Sequence, residues 1–236
     1  MEPPVSPNEL ALAGSEHLDP SYVAAYERKT GFDPDEARYE LELLEPHGLG
    51  PDSTLIDFGA GTGWFAFAAA ARCRRVVAVD VSPAMAASME RRAREQHVSN
   101  VEIVQAGFLS YQHIGEPADF AYCRNALHHL PDYWKAVALG RIAAVLKPRG
   151  VLLLRDIVFS FDPTEADAYI GPWLDGAAAT PDEGWTREEL ETHLREEFST
   201  FSWLLEPMLE RAGFAIESSD FGTRRIFAGY VCVKRG

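Results

Sequence analysis

Cysteine is scarce: three residues in 236, at positions 73, 123 and 232. They are odd in number, widely spaced and set in apolar surroundings. A disulfide framework is thereby excluded, and reduced, buried thiols in a cytoplasmic protein are expected. Basic residues are also in deficit, with 22 Lys and Arg against 36 Asp and Glu, a net charge of −14. Binding to a phosphate backbone draws most of its strength from Lys and Arg, so nucleic acid is disfavoured as a partner. The basic runs Arg72-Cys73-Arg74-Arg75 and Arg91-Arg92-Ala93-Arg94 fall at predicted helix ends, where cations complement the helix dipole. No apolar run approaches the ~20 residues that span a bilayer, so no membrane association is expected. The opening Met1-Glu2-Pro3-Pro4-Val5-Ser6-Pro7 has neither a basic n-region nor an apolar h-region, and residues 1–18 read as a disordered leader. His, Cys and acids show no zinc-type spacing, so no metal is expected.

Against these absences stands one unusual stretch in a chain of ordinary globular composition, 47% hydrophobic and 25% charged, long enough for a single α/β domain. Thr54-Leu55-Ile56-Asp57-Phe58-Gly59-Ala60-Gly61-Thr62-Gly63 reads as a buried strand followed by a loop with glycine at every second position. Such glycines allow backbone angles that a Cβ forbids and let the loop pass close to a ligand. The alanine-rich segment after it predicts a helix over 64–72, so the loop delivers a ligand to a helix N-terminus. The dinucleotide fingerprint G-x-G-x-x-G needs its third glycine where this chain has bulky Trp64. The pattern is instead D-x-G-x-G-x-G, and Asp57 calls for a positively charged group, which the pyrophosphate of NAD does not offer. A ligand with an amino group and a ribose but no phosphate fits better. About 20 residues after the first glycine, a second apolar strand ends at Asp80, where an acid in such a sheet accepts hydrogen bonds from ribose hydroxyls. Ser82 then suits a helix N-cap and Pro83 the first helical position.

The spacing of Asp57 and the glycines resembles motif I of the class I S-adenosylmethionine-dependent methyltransferases, and Val79-Asp80-Val81-Ser82-Pro83-Ala84-Met85 resembles their second motif. The resemblance covers roughly residues 50–236. It implies an α/β fold with a Rossmann-like, seven-stranded, mostly parallel sheet of order 3-2-1-4-5-7-6, the last strand antiparallel and helices on both faces. It implies S-adenosylmethionine as cofactor, with S-adenosylhomocysteine as product. Asp57, Gly59, Ala60, Gly61 and Gly63 are then expected at the cofactor, Asp80 at its ribose, and Val81 and Met85 against adenine. Relatives often carry a Gly-Asp pair after the third strand. This chain has Gly107-Phe108, whose backbone groups remain candidates for adenine contact.

The fourth strand runs into Tyr122-Cys123-Arg124-Asn125-Ala126-Leu127-His128-His129-Leu130, which resembles motif IV. In open α/β sheets ligands bind beyond the carboxyl ends of the strands. Arg124 and Asn125 are expected at the cofactor, with His128 either an acceptor contact or a residue fixing the turn. Since the sulfonium is already activated, positioning dominates and a base is needed only for some acceptors. His128, His129, Tyr22, Tyr26 and Asp156 are the candidates, none decisive.

From 54 to 157 strands and helices alternate, with further strands at 101–105, 119–123 and 151–157 and further helices at 83–96 and 132–146, the last ended by a turn at 147–150. A single domain over 19–236 is expected, with a helical cap at 19–48 and an insertion at 158–200. Thr186-Arg187-Glu188-Glu189 is a capping box that predicts a helix over 187–197. A helix over 203–211 and two strands at 214–218 and 226–233 close the pattern. The insertion carries Tyr169, Trp173, Trp185, Phe198 and Phe201, with Trp203 just beyond. These either bind the acceptor or form the insertion's own small core. The expected reaction is methyl transfer to a small-molecule O, N or C nucleophile. Methylation of a protein or tRNA and a non-catalytic S-adenosylmethionine-binding role are the alternatives, and the oligomeric state is open.

Overall fold

The computed structural model describes residues 5–14, 23, 26, 33–181 and 183–236. Eight strands form one sheet: β1 (Thr54–Phe58), β2 (Arg75–Asp80), β3 (Val101–Gln105), β4 (Ala118–Arg124), β5 (Leu146–Phe159), β6 (Thr200–Phe201), β7 (Phe214–Asp220) and β8 (Phe227–Lys234). The order is β3-β2-β1-β4-β5-β8-β7, with β6 pairing β5. Pairings among the first five strands are parallel, and β8 runs antiparallel to both β5 and β7. This is the expected architecture with one addition. The short β6, at the end of the insertion, pairs Thr200 with Val158 and Phe201 with Phe159.

The helices are α1 (Glu9–Leu12), α2 (Pro34–Glu42), α3 (Trp64–Ala70), α4 (Pro83–Glu95), α5 (Asp132–Val145), α6 (Ala166–Asp175), α7 (Arg187–Glu196) and α8 (Ser202–Arg211). Strand β1 is buried on both faces, as a parallel sheet covered by helices requires. Its side chains alternate accordingly. Leu55 packs with Leu41 of α2, Phe65 of α3 and Met89 of α4. Ile56 and Phe58 pack with Leu139 of α5 and Leu209 of α8. The predicted caps form: Ser82 accepts from the N–H of Met85 at 3.2 Å, and Thr186 with Glu189 closes the capping box of α7; Asp33 caps α2 as well.

Three segments differ from expectation. The lead-in read as disordered contains α1. Strand β5 starts at Leu146, opposite Ala118; pairing resumes only at Phe120 with Val151. The expected turn at 147–150 is thus an excursion within the strand, because Pro148 has no N–H to give to a ladder and Arg149 takes a φ of +66°. In the insertion, Phe161, Trp173 and Phe159 form a small core with Ile226, and Tyr169 and Phe201 pack on it. The rings of Phe161 and Tyr169 stack at 4.9 Å. Of the aromatics singled out, Tyr169, Trp173 and Phe201 belong to the insertion's own core, and Trp185, Phe198 and Trp203 are exposed. Much of the first half of the expected helical cap at 19–48 lies outside the described residues.

Helix α2 is fastened to the sheet by a buried carboxylate. Glu40 is wholly inaccessible and takes hydrogen bonds from Arg124 at 2.9 Å, Arg155 at 3.0 Å and the Tyr122 hydroxyl. Removing one member of a buried ion pair strands its partners. Glu40→Ala should therefore lower unfolding stability by about 3 kcal/mol, read from urea denaturation. An unchanged midpoint would show that α2 is held by its apolar face alone.

Candidate active site

The cleft lies at the carboxyl ends of β1, β2 and β4, where the sheet order reverses between β1 and β4. Some 670 Å³ of space, the open solvent at its mouth included, lies within it. Three elements build its floor from the sequence upward. After β1, Gly59, Gly61 and Gly63 adopt φ of +70°, +56° and +82°, the left-handed region that a side chain disfavours. The N–H groups of Gly59 and Ala60 both reach the carbonyl of Val79, at 2.8 and 3.0 Å. A Cβ on Gly59 would stand 2.3 Å from the Cβ of Ala126, and one on Gly63 would stand 2.7 Å from the Phe67 ring. A Cβ on Gly61 would have its nearest neighbour 3.7 Å away, on Tyr26. Gly63 therefore serves packing, Gly59 packs on Ala126 while lining the cleft, and Gly61 faces the cleft with room to spare.

Asp80 ends β2 and fastens this loop. One carboxylate oxygen accepts from the N–H of Gly61 at 2.7 Å and the other from the N–H of Ser82 at 2.8 Å. Burial lifts its carboxyl to about 6, against the pull of those two N–H groups. Asp57 lies behind the loop and is buried; it receives the backbone N–H of Ala66. Burial, then the charges of Asp80 and Glu40, raise its carboxyl well above the usual range.

Of the residues expected at a cofactor, Gly59, Gly61, Asp80, Val81, Met85, Gly107, Phe108 and Asn125 line the cleft. Asp57, Ala60 and Gly63 support it without lining it. Arg124 is directed elsewhere: its guanidinium binds Glu36 at 3.0 Å and Glu40 at 2.9 Å and lies 5.2 Å over the Trp64 ring. Its expected cofactor contact is corrected on that ground, because two carboxylates of α2 compete for it. Phe108 packs its ring against Phe58 at 5.8 Å, so one face is already taken. Among the candidate bases, His129 and Tyr26 line the cleft. Burial and then Asp80 push the Tyr26 hydroxyl to about 12. Tyr22 lies outside the described residues.

His128 and Asp156 are buried beneath the cleft. The two ring nitrogens of His128 face Asp156 on one side and Glu197, at 3.0 Å, on the other. Burial would lower this imidazole, but Asp156 and then Glu197 outweigh it and raise it to about 9. Held between two carboxylates, it is engaged on both ring nitrogens and does not face the cleft as a free base. Asp156 is lowered in turn: burial opposes, and the His128 charge and hydrogen bond prevail.

Two features escaped the sequence reading. Glu9 of α1 accepts from the N–H groups of Leu109 and Ser110 at 3.0 and 3.1 Å. A carboxylate thus sits beside Gly107-Phe108, where the chain lacks the acid that relatives carry, and no local spacing reveals it across 100 residues. Glu197 likewise reaches His128 from the insertion; the His193–Glu197 spacing of four on one helix face was the only available signal. The insertion's end is pinned there: the Phe198 N–H donates to the His128 carbonyl at 2.9 Å, Lys135 donates to the Phe198 carbonyl, and the Thr200 hydroxyl donates to Asp132 at 3.2 Å.

Residues 55–150 match a family described as a methyltransferase domain. An uncharacterised methyltransferase of Geobacillus kaustophilus is 30% identical over 105 residues, 44% of this chain and 47% of that protein. The chain thus spans about half the length of the curated relatives it matches. Among solved structures, the cyclopropane synthase MmaA2 of Mycobacterium tuberculosis aligns with a TM-score of 0.68 at 17% identity, covering 98% of this chain and 100% of that one. The magnesium protoporphyrin IX methyltransferase ChlM of Synechocystis PCC 6803, solved with bound S-adenosylhomocysteine, aligns with a TM-score of 0.61 at 17% identity, covering 86% and 83%. At such identities the likeness is one of fold.

The close approach of Gly59 to Ala126 yields a paired test. Gly59→Ala should lower stability by about 1–3 kcal/mol through strain at positive φ and the clash. Adding Ala126→Gly should restore part of the loss, measured as a double-mutant cycle in urea. Strict additivity would mean that the two backbones do not meet.

Proposed function

We propose that this chain, whose residues 55–150 match the methyltransferase-domain family, is an S-adenosylmethionine-dependent methyltransferase acting on a small-molecule O, N or C nucleophile. The observation that carries this reading is the charge of the cleft. Two carboxylates, Glu9 and Asp80, line it, and among the described residues no lysine or arginine does. Such a surface attracts a cationic ligand and repels a pyrophosphate. The residues present fit the cofactor in three further respects. Gly61 leaves room for close approach, the Asp80 oxygens keep lone pairs for ribose hydroxyls beyond the two N–H groups they hold, and Val81 and Met85 supply an apolar wall.

S-adenosylmethionine, when bound, supplies an already activated methyl group. The chain's part is then to orient and to exclude water. Asp80 fixes the ribose end through its carboxylate, and the glycine loop sets the depth at which a ligand rests. His129, at the cleft wall, is the residue positioned to take a proton from an acceptor. His128 is turned away from the cleft and instead holds the loop through Asp156. The acidic net charge supports a small molecule over tRNA, and a basic protein acceptor is a distinct outcome of acceptor screening. The three cysteines are free and buried, which supports a reducing, cytoplasmic setting. Among the described residues no helix is long and apolar enough to cross a membrane.

Calorimetric titration with S-adenosylhomocysteine should give binding on the order of micromolar Kd, about 8 kcal/mol, with none for NAD. NAD binding without S-adenosylhomocysteine binding would overturn the proposal. Because Asp80 is lifted to about 6, its acceptor oxygens are lost as pH falls through that value. Affinity should therefore drop on the acid side and level off above. Asp80→Asn should be weaker by about 1–3 kcal/mol and flat across the same window; a slope retained in the variant would assign the titration to another group.

A further inference from the structure

Beneath the cleft, outside the proposed cofactor site, three ligand-type atoms converge from two parts of the chain. His128 Nε2 comes from the loop after β4, His193 Nδ1 from α7, and Glu197 Oε2 from the residue that ends α7. His128 Nε2 and His193 Nδ1 lie 3.0 and 2.6 Å from Glu197 Oε2, and all three atoms fall within 4.8 Å of one another. In a tetrahedral zinc site with bonds of 2.0–2.1 Å, neighbouring donor atoms stand about 3.3 Å apart. From 3.0 and 2.6 Å, the two contacts to Glu197 have to open by about 0.3 and 0.7 Å to reach that spacing and admit an ion.

The surroundings are those that metal-binding imidazoles need. A ligating histidine usually gives its other ring nitrogen to a carboxylate, carbonyl or hydroxyl, which fixes its tautomer and aim. His128 has Asp156 on Nδ1, and Asp156 is itself held by the backbone N–H groups of His128 and Ile157 at 3.0 and 2.7 Å. His193 has the Ser199 hydroxyl on Nε2 at 2.7 Å. The rings are locked by packing as well: His193 stands edge-on to Trp173 at 6.3 Å and to His128 at 5.0 Å. His128, His193 and Asp156 are each at most 9% exposed. One buried and one partly buried carboxylate thus face a small group of imidazoles, a donor set whose charge a divalent cation balances.

We propose that His128, His193 and Glu197 form a binding site for a divalent first-row metal ion, zinc foremost, oriented by Asp156 and Ser199. Two imidazoles and one carboxylate suit zinc and are poorly suited to magnesium, which favours oxygen donors. The site ties the insertion to the loop after β4. That loop also presents His129 to the cleft, so a bound ion fixes the wall against which an acceptor would rest. The assignment stands on this chain's own side chains and is independent of the methyl-transfer reading.

The test uses the full chain, free of any affinity tag and stripped with a chelator. Zn2+ titration by calorimetry, with metal counted by atomic emission, should give one ion per chain, and Mg2+ should give none. His193→Ala and Glu197→Gln should each weaken Zn2+ binding at least ~10-fold, and Asp156→Asn ~10–100-fold. His97→Ala, in an exposed turn far along the sequence, should bind as the unchanged protein does. Should a ligand variant misfold by circular dichroism, the Co2+ absorption spectrum of the unchanged protein decides: intense tetrahedral bands support the site, and weak octahedral ones overturn it. Absence of a saturable one-to-one Zn2+ site, or His193→Ala binding with undiminished affinity, would equally overturn it. S-adenosylhomocysteine binding, measured in parallel, separates failure of this site from failure of the methyltransferase reading.

Discussion

Both oxygens of one buried carboxylate hold two walls of the cleft. Asp80 takes the N–H of Gly61 on one side and that of Ser82 on the other, so the loop after β1 and the start of α4 share a single anchor. A glycine loop is conformationally permissive, and without a fixed acceptor its backbone would sample many shapes. The cost of desolvating the acid is visible in its raised carboxyl. The N–H groups offset that cost, and the ligand-facing lone pairs remain. The rest of the site is arranged around this point: Val81 and Met85 follow from the helix Asp80 helps to start, and Gly61 is aimed by the bond it donates.

Charge is distributed in the protein with a consistent division of labour. Arginines at the sheet's carboxyl edge are consumed by Glu36 and Glu40 of α2, which removes Arg124 from the cleft and leaves the cleft acidic. Histidine and carboxylate beneath the cleft are consumed by one another, which removes His128 from proton transfer. What faces the ligand is therefore narrower than the polar residues of the motifs suggest. Each removal has the same physical cause: a buried charge is tolerated only when paired, and the nearest partner lies on another element.

The insertion illustrates how an irregular segment becomes ordered. Its aromatics bury one another around Phe161 and Trp173, and its end is pinned by backbone and side-chain bonds to 128–135. Two residues of β6 then extend the sheet along the tail of β5. The segment is thus held at both its apolar centre and its polar end, directly beside the histidine-rich loop.

Local chemistry was legible in the chain itself. Glycines at alternate positions, an acid at the end of each of two apolar strands, Ser-Pro at a helix start and a capping box at Thr186 each act over a few residues and mark the strands and helices, while the sheet order came from the family resemblance. Partner choice across the fold was not legible. That Glu9 would stand beside Gly107, that Arg124 would turn to Glu40, that Pro148 would sit inside a strand's span, and that Glu197 would meet His128 depend on residues tens of positions apart. Their meeting is decided by how helices pack on the sheet. Sequence determined which groups could bind and react. Tertiary structure decided which of them were already spoken for, because burial forces every charge to find a partner and only packing determines which partner is near.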